Sequence, residues 1–184
     1  NFPKEDKVVE RVGQRAREPE PQFSAEYERY YNGFRENRLK AEKGKVVLKG
    51  SQIPYQLIPQ GFIKSYVLPG AKDVASTVMR IFEHRFMGHS GRHTHQGGLA
   101  LFIIEGRGYT VIDGVRHDWK EGDLLVLPIK RGGCEHQHFN LDPDKPSRWL
   151  ALRSVPLHNL LGAYFHQKEV SPAWKEKYGE GWTL

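Results

Sequence analysis

The sequence has few of the features that mark secreted or membrane-spanning proteins. Cys134 is its single cysteine among 184 residues, which excludes an intramolecular disulfide and is typical of a reducing compartment. Apolar runs such as residues 99–104 have the length of a strand, far below the ~20 residues that a membrane-spanning helix needs. The opening residues 1–20 are charged and hold no apolar signal segment, so we expect a cytoplasmic protein without membrane contact. Because the first residue is Asn1 rather than Met, we expect further residues to precede it.

The sequence also lacks a concentrated block of charge of one sign. Lys and Arg number 28 against 22 Asp and Glu, which gives a formal net charge of +6. These basic residues are spread along the chain and do not alternate with aromatic residues as in a nucleic-acid-binding module, so we expect no nucleic-acid partner. The excess of positive charge is better suited to attracting a small anionic substrate.

The pattern of apolar residues divides the chain into three segments. Residues 1–44 are predicted to form an N-terminal arm and a helix that begins near Ser24 and ends at Gly44. Residues 45–156 are predicted to form an all-β barrel, because short runs rich in Val, Ile, Leu and Tyr alternate there with Gly, Pro and Asp turns. Residues 157–184 are predicted as a C-terminal extension in which Ser171 caps a short helix. The candidate strands are 46–48, 63–68, 75–86, 99–104, 109–112, 115–119, 124–127, 135–140 and 149–155.

Four of the nine histidines form two pairs with a spacing of two residues. Side chains two apart on a strand project to the same face, so His93 and His95 would converge on one point. A third imidazole from a neighbouring strand, most simply His136, would complete a set of three nitrogen ligands with open positions on a metal ion. The alternative is that these are strand histidines without a ligand role. Two such pairs around a β-hairpin in one small domain favour the metal site.

The segments around these histidines resemble the two consensus motifs of the cupin superfamily, in the same order. The first motif is similar to the stretch from His93 through FIIEGRG (102–108), and the second is similar to EGDLLVLP (121–128) followed by HQHFN (136–140). The resemblance covers residues 88–140. It implies an all-β fold with a single cupin, or jelly-roll, β-barrel, flanked by the N-terminal helical arm and the short C-terminal helix.

One departure from the family pattern indicates the type of cupin. Most metal-binding cupins carry a Glu shortly after the second His of the first motif, whereas this sequence has no carboxylate in residues 96–100. Three neutral histidines leave a divalent ion its full positive charge, which favours an anionic bidentate substrate. This pattern, together with His136 and His138, is most similar to gentisate 1,2-dioxygenase and the related salicylate and hydroxynaphthoate dioxygenases. That resemblance implies Fe(II), O2 and ring cleavage in aromatic compound catabolism, although the imidazole ligands leave Zn, Mn, Ni and Cu as alternatives.

The metal ligands are accordingly predicted to be His93, His95 and His136. His138 shares the face of His136 on a regular strand, so it is predicted to act as an acid/base or as a hydrogen-bond partner of oxygen or substrate. The alternative for His138 is a histidine that only fills the barrel. Cys134 has the same spacing from His136 and is interpreted as a core residue, with an approach to the metal as the alternative.

The residue that binds a substrate carboxylate is the least determined part of the site. Gentisate-type enzymes carry an Arg just before the FIIEG-like segment, and Leu101 occupies that position here. Arg80 is the preferred replacement, because it lies in the strand before the first motif. Three other arginines are further candidates, since a planar guanidinium matches a carboxylate. Those three are Arg85, Arg92 and Arg153. Gly97 and Gly98 would leave room for a substrate, or would form a bulge or turn.

The sequence leaves the reaction and the assembly open. Gentisate-type enzymes usually have two barrels in a chain about twice as long, so a different phenol, diketone or catechol-like substrate is compatible with the motifs. The predicted function is a non-haem Fe(II)-dependent dioxygenase that cleaves a small, oxygen-chelating, hydroxylated aromatic substrate. The alternatives are a non-redox metal-dependent cupin (an isomerase, decarboxylase or lyase) and a ligand-binding cupin without turnover. We expect a homodimer or higher homo-oligomer, with a subunit of a larger enzyme as a further interpretation.

Overall fold

The computed structural model describes residues 25–71, 73–76 and 78–181, which separate into two compact units at Lys43/Gly44. In the first unit, helix α1 (Ala25–Lys43) has acidic residues in its first turn and basic residues in its last turn, as the helix dipole favours. This confirms the predicted helix and its end before Gly44. The predicted cap Ser24 and the arm 1–21 lie outside the described residues.

The second unit consists mainly of two antiparallel sheets. One sheet has six strands in the order β1-β2-β3-β10-β5-β8, and the other has five in the order β11-β4-β9-β6-β7. The all-β prediction is therefore confirmed. The strands are β1 (Gln56–Ile58), β2 (Gly61–Val67), β3 (Met79–Phe86), β4 (Arg92–His95), β5 (Leu99–Glu105), β6 (Arg107–Ile112), β7 (Val115–Lys120), β8 (Leu124–Leu127), β9 (Cys134–Asn140), β10 (Ser147–Ser154) and β11 (Phe165–Glu169).

The hairpin between β6 and β7 forms where the sequence predicts it. Asp113 and Gly114 both have positive φ, at 49° and 84°, which is the backbone geometry of a two-residue turn that matches the twist of the strands. Asp is among the few residues other than Gly that tolerate this conformation. The turn fixes the register in which Thr110 lies opposite His117.

The apolar core lies between the two sheets and follows the alternation of the strands. On β5, the buried residues Leu99, Leu101 and Ile103 alternate with more exposed neighbours. Trp149 and Ala151 on β10 do the same, and both belong to the core cluster that also includes residues of the five-stranded sheet. One part of this interior is polar, because β4 and β9 project histidines into it.

Three segments differ from the sequence prediction. Residues 46–48 form no strand, and Val46 is 86% exposed, because a short apolar run without a neighbouring strand gains nothing from an extended ladder. The strand predicted at 75–86 begins only at Met79. The strand predicted to end at 155 gives way to helix α2 (Val155–Leu160), which is capped by the hydroxyl of Ser154.

The sheet also continues into the segment predicted as a C-terminal extension. Strand β11 pairs antiparallel with β4, so Phe165 lies opposite His95 and adds an edge to the histidine-bearing sheet. Helix α3 (Pro172–Tyr178) follows, and Ser171 accepts a hydrogen bond from the amide of Trp174, which confirms the predicted cap. Among the helices of the described residues, none is long and apolar enough to cross a membrane.

Candidate functional site

Three histidines come together because β4 and β9 are neighbours in the five-stranded sheet. His93 lies opposite His136 across this strand pair, and His95 follows His93 at the spacing that returns a side chain to the same face. The ring centroids are 4.2 Å apart for His93 and His136, 4.7 Å for His95 and His136, and 5.1 Å for His93 and His95. All three rings are buried, and one nitrogen of each lies within 4.8 Å of the others.

Backbone carbonyls fix the orientation of the three imidazoles. Nδ1 of His93 hydrogen-bonds to the carbonyl oxygen of Gly91 at 3.0 Å, and Nδ1 of His95 to that of Gln96 at 2.6 Å. Nδ1 of His136 does the same with the carbonyl oxygen of Cys134 at 3.2 Å. A carbonyl can only accept, so each Nδ1 carries the proton and each Nε2 keeps a free lone pair.

Burial keeps these imidazoles uncharged. It lowers the pKa of His95 to about 3 and that of His136 to about 4, and it holds the pKa of His93 well below its usual value. The neighbouring histidines add to the effect at His93 and His95. Neutral imidazole is the form that binds a metal ion. Three buried Nε2 lone pairs facing one another without a proton fit a divalent transition-metal ion, which suits nitrogen ligands and neutralises their mutual repulsion.

A cavity lies beside the three histidines, and its lining combines polar side chains with apolar ones. The apolar part of this lining consists of Phe82, Leu99, Leu101, Leu127 and Trp149. Phe165 lies at the same cavity and stacks on His93, with centroids 5.1 Å apart and an interplanar angle of 28°.

His138 also lines the cavity, on the same face of β9 as His136, as the sequence predicts. Its ring lies 5.5 Å from that of His136 and 5.0 Å from that of Trp149. In contrast to the three other histidines, its Nδ1 contacts a side-chain hydroxyl, that of Thr110, at 2.8 Å. Burial holds the pKa of His138 well below its usual value, so this ring is neutral as well.

Two arginines face the cavity from neighbouring strands of the other sheet. Arg80 on β3 lies directly opposite Arg153 on β10, and both line the cavity. The Nε of each is buried without a hydrogen-bond partner, and within the described part of the chain no carboxylate pairs with either guanidinium. Burial lowers the pKa of both, and the proximity of Arg80 lowers that of Arg153 further, yet a guanidinium remains charged at neutral pH. The site therefore holds two cations for which the described residues provide no counter-ion.

The two other candidate arginines are engaged elsewhere. Arg85 lies over the rings of Tyr55 and Phe62, at 4.5 and 5.5 Å from their centroids. Arg92 forms ion pairs with Glu135 and Glu169, at 3.2 and 3.3 Å. The structure thus brings Arg80, and with it Arg153, to the histidines and leaves the other two outside.

Comparison with known proteins agrees with this geometry. Residues 86–153 match the family model described as a cupin domain. Over 80 residues, 44% of this chain, the sequence is 30% identical to the 5-aminosalicylate 1,2-dioxygenase of a Comamonas species. The match covers 20% of that protein, so this chain spans about a fifth of the length of the curated relative.

Solved structures show the same fold. A mutant of salicylate 1,2-dioxygenase from Pseudoaminobacter salicylatoxidans in complex with gentisate gives a TM-score of 0.50 at 18% identity, over 72% of this chain and 35% of that chain. A further structure of this mutant gives 0.50 at 18% identity, over 72% and 36%. The predicted resemblance to the cupins and to their ring-cleaving dioxygenases is therefore confirmed.

Two further histidines of the cupin barrel lie near the site and were not identified from the sequence. His84 lines the cavity and donates from Nε2 to the carbonyl oxygen of Gln60 at 3.0 Å. His158 on α2 is buried 6.1 Å from the ring of His95, and none of the residues in the described ranges hydrogen-bonds to its Nε2. The alternation of Phe82, His84 and Phe86 along β3 was a usable signal for the first. No signal indicated His158, since α2 itself was not predicted.

The glycines and the cysteine near the motif have structural roles. A Cβ on Gly97 would overlap the backbone of Pro128, and Gly98 has a φ of 74°. Close backbone packing therefore explains the first glycine, and backbone conformation the second, better than room for a substrate does. Cys134 is fully buried in the core cluster, with its Sγ 4.0 Å from Nδ1 of His136. Its role as a core residue agrees with the interpretation from the sequence.

Removal of any one of His93, His95 or His136 is expected to abolish metal retention. Each Ala variant loses one of three convergent lone pairs, and the remaining two cannot hold an ion tightly against dialysis. Elemental analysis of the purified, dialysed variants measures this directly. His117→Ala, at an exposed position on β7, is the matched control and should retain the wild-type metal content. Normal metal content in all three site variants would rule out this ligand set.

The metal-free protein is expected to lose stability as the pH falls. Burial lowers the pKa of His84 to about 4, so between that value and 6.5 the unfolded chain binds a proton that the folded one does not. The free energy of unfolding should therefore fall with decreasing pH in this window, by up to about 1.4 kcal/mol per pH unit for each such histidine. Urea titrations of His84→Gln should give a shallower dependence than wild type, whereas His117→Gln should not. Equal slopes in wild type and His84→Gln would contradict the burial argument.

Proposed function

We propose that this cupin protein is a non-haem Fe(II)-dependent dioxygenase that cleaves a small, oxygen-chelating, hydroxylated aromatic acid. The observation that carries the proposal is the juxtaposition, in one cavity, of three imidazole nitrogens within 4.8 Å of one another and two arginines that pair with no carboxylate of the described residues. The first group suits a divalent metal ion, and the second suits the anionic group of a substrate.

His93, His95 and His136 would hold the metal. Because none of the three is a carboxylate, the ion keeps its full charge and can bind two adjacent substrate oxygens. When bound, Fe(II) supplies the redox chemistry by which molecular oxygen reacts with an electron-rich ring. Zn, Mn, Ni and Cu suit the same ligands, and the preference for iron rests on the likeness to the ring-cleaving dioxygenases.

The remaining polar groups of the cavity would bind and orient the substrate. The Nε atoms of Arg80 and Arg153 and Nε1 of Trp149 are buried and have no hydrogen-bond partner among the described residues. Buried donors without partners are unfavourable, so a ligand that supplies acceptor oxygens is stabilised where they converge. A carboxylate provides two such oxygens and the opposite charge.

The names of the similar proteins agree with this substrate class. They designate enzymes that act on 5-aminosalicylate and salicylate, and a complex with gentisate, all of which are hydroxylated aromatic acids. A role in aromatic compound catabolism, a cytoplasmic location and a homo-oligomeric or larger assembly remain predictions for this chain. The apolar side chains around the cavity would hold the ring and exclude bulk water from it.

Oxygen consumption tests the reaction. Protein loaded anaerobically with Fe(II) is expected to consume O2 only when an acceptable substrate is added. The panel comprises gentisate, salicylate, 5-aminosalicylate, catechols, hydroquinones and β-diketones, followed with an oxygen electrode. His93→Ala, loaded identically, is the control for uptake by free iron. No uptake across the panel by metal-replete protein would favour a non-redox cupin enzyme or a ligand-binding cupin.

Substitution of the arginine pair tests the substrate class. Arg80→Met and Arg153→Met should each raise KM for a carboxylate-bearing substrate by roughly 10- to 100-fold, the worth of a charged hydrogen bond. For a catechol without a carboxylate, KM should rise much less. Arg85→Met is the matched control, because this arginine lies on the same strand as Arg80 but packs outside the cavity. Equal losses for both kinds of substrate would contradict carboxylate binding by the pair.

A further inference from the structure

A buried hydrogen-bonded chain leads from β7 through β6 to the histidine that is not needed for the metal. The indole Nε1 of Trp119 lies 2.9 Å from Oγ1 of Thr110, which in turn lies 2.8 Å from Nδ1 of His138. Thr110 and His138 are direct neighbours across the β6–β9 pair. All three side chains are buried, at 6%, 0% and 2% exposure. Water therefore has little access to this chain, and its members must satisfy one another.

The chemistry of the three groups determines the direction of the chain. An indole nitrogen can only donate, so Oγ1 of Thr110 accepts the proton of Trp119. The hydroxyl can then donate its own proton, and Nδ1 of His138 is the acceptor within hydrogen-bond distance. If His138 donated to Thr110 instead, the hydroxyl proton would be left without a partner at a fully buried position. Nδ1 of His138 is therefore an acceptor, and its ring proton resides on Nε2.

This arrangement is the opposite of that at the three metal-site histidines. His136, two residues earlier on the same strand face, donates from Nδ1 to a carbonyl and presents an Nε2 lone pair. His138 presents an Nε2–H group. Since Nδ1 is directed at Thr110, the Nε2 edge is the part of the ring left for the cavity, which His138 lines.

We infer that Trp119 and Thr110 are positioning residues that hold His138 in the Nε2–H tautomer. This tautomer excludes His138 as a fourth metal ligand and makes it a hydrogen-bond donor to an anionic oxygen of the bound substrate. The second part rests on the proposed function, because it requires a substrate beside the metal. The tautomer itself depends only on hydrogen-bond chemistry in the folded chain.

Imidazole ¹⁵N NMR of the full-length protein, metal-free and loaded with diamagnetic Zn(II), tests the tautomer. The two ring nitrogens of a neutral histidine have well-separated shifts, so the protonated nitrogen is identified directly. Wild type should show His138 protonated at Nε2, and His93, His95 and His136 protonated at Nδ1. A wild-type spectrum with His138 protonated at Nδ1 would overturn the inference without any variant.

Variants then test whether Thr110 is responsible. Thr110→Val removes the hydroxyl at nearly constant volume and should move His138 toward the Nδ1–H tautomer, while the other three histidines keep theirs. Thr110→Ser keeps a hydroxyl at this position and should show the wild-type pattern. If Thr110→Val folds poorly, the spectra of wild type and of Thr110→Ser still report the tautomer of His138. An unchanged His138 tautomer in folded Thr110→Val would show that the hydrogen bond with Thr110 does not determine it.

Turnover separates the two parts of the inference. In an active enzyme, Thr110→Val should lower kcat/KM by roughly 3- to 10-fold, the worth of one hydrogen bond, with metal content unchanged, and Thr110→Ser should recover it. Wild-type kcat/KM in Thr110→Val, despite a shifted tautomer, would refute the donor role. If NMR shows the Nε2–H tautomer of His138 but the protein consumes no oxygen, the proposed reaction is refuted. The positioning of His138 by Thr110 and Trp119 would still hold.

Discussion

The antiparallel pairing of β4 with β9 is the constraint on which the site depends. It sets His93 opposite His136, and the two-residue period of β4 then adds His95 on the same face. A slip of one residue in this register would turn the imidazoles to the other face of the sheet. The carbonyls that fix the three Nδ1 protons belong to the same two strands or to residues next to them, so the strand pairing determines both the position and the tautomer of the ligands.

The cavity contains two sets of groups with unfavourable electrostatic interactions. One metal ion and one small molecule would stabilise both sets together. Three imidazoles converge on one side. On the other side, Arg80 and Arg153 are like charges on neighbouring strands, and no carboxylate of the described chain segments pairs with them. Like charges directly opposite each other on neighbouring strands are destabilising without a ligand between them. Such strain is common at ligand-binding sites. A chelating anion between the metal and the arginines would neutralise both groups. The apolar walls strengthen this attraction by excluding water.

The sequence predicted the features that follow from a periodic pattern or a local motif. It did not predict those that depend on pairing between strands distant in the sequence. The two His-x-His pairs, the Asp113–Gly114 turn and the Ser171 cap are local signals, and each appears in the structure. Strand β11 could not be predicted, because four of its five residues are polar and they are extended only through pairing with β4. Arg80 was named for its strand position, but its pairing with Arg153 follows from the β3–β10 register, which no local pattern contains. The same holds for the opposite tautomers of His136 and His138.

The central claim is that the three-histidine cupin site brings molecular oxygen and a hydroxylated aromatic acid together for ring cleavage. The most direct measurement is mass spectrometry of the product formed by the Fe(II)-loaded protein from 5-aminosalicylate under ¹⁸O2. The account predicts a ring-opened product that carries both atoms of one oxygen molecule. A product formed without ¹⁸O, or formed equally well in the absence of oxygen, would contradict the account.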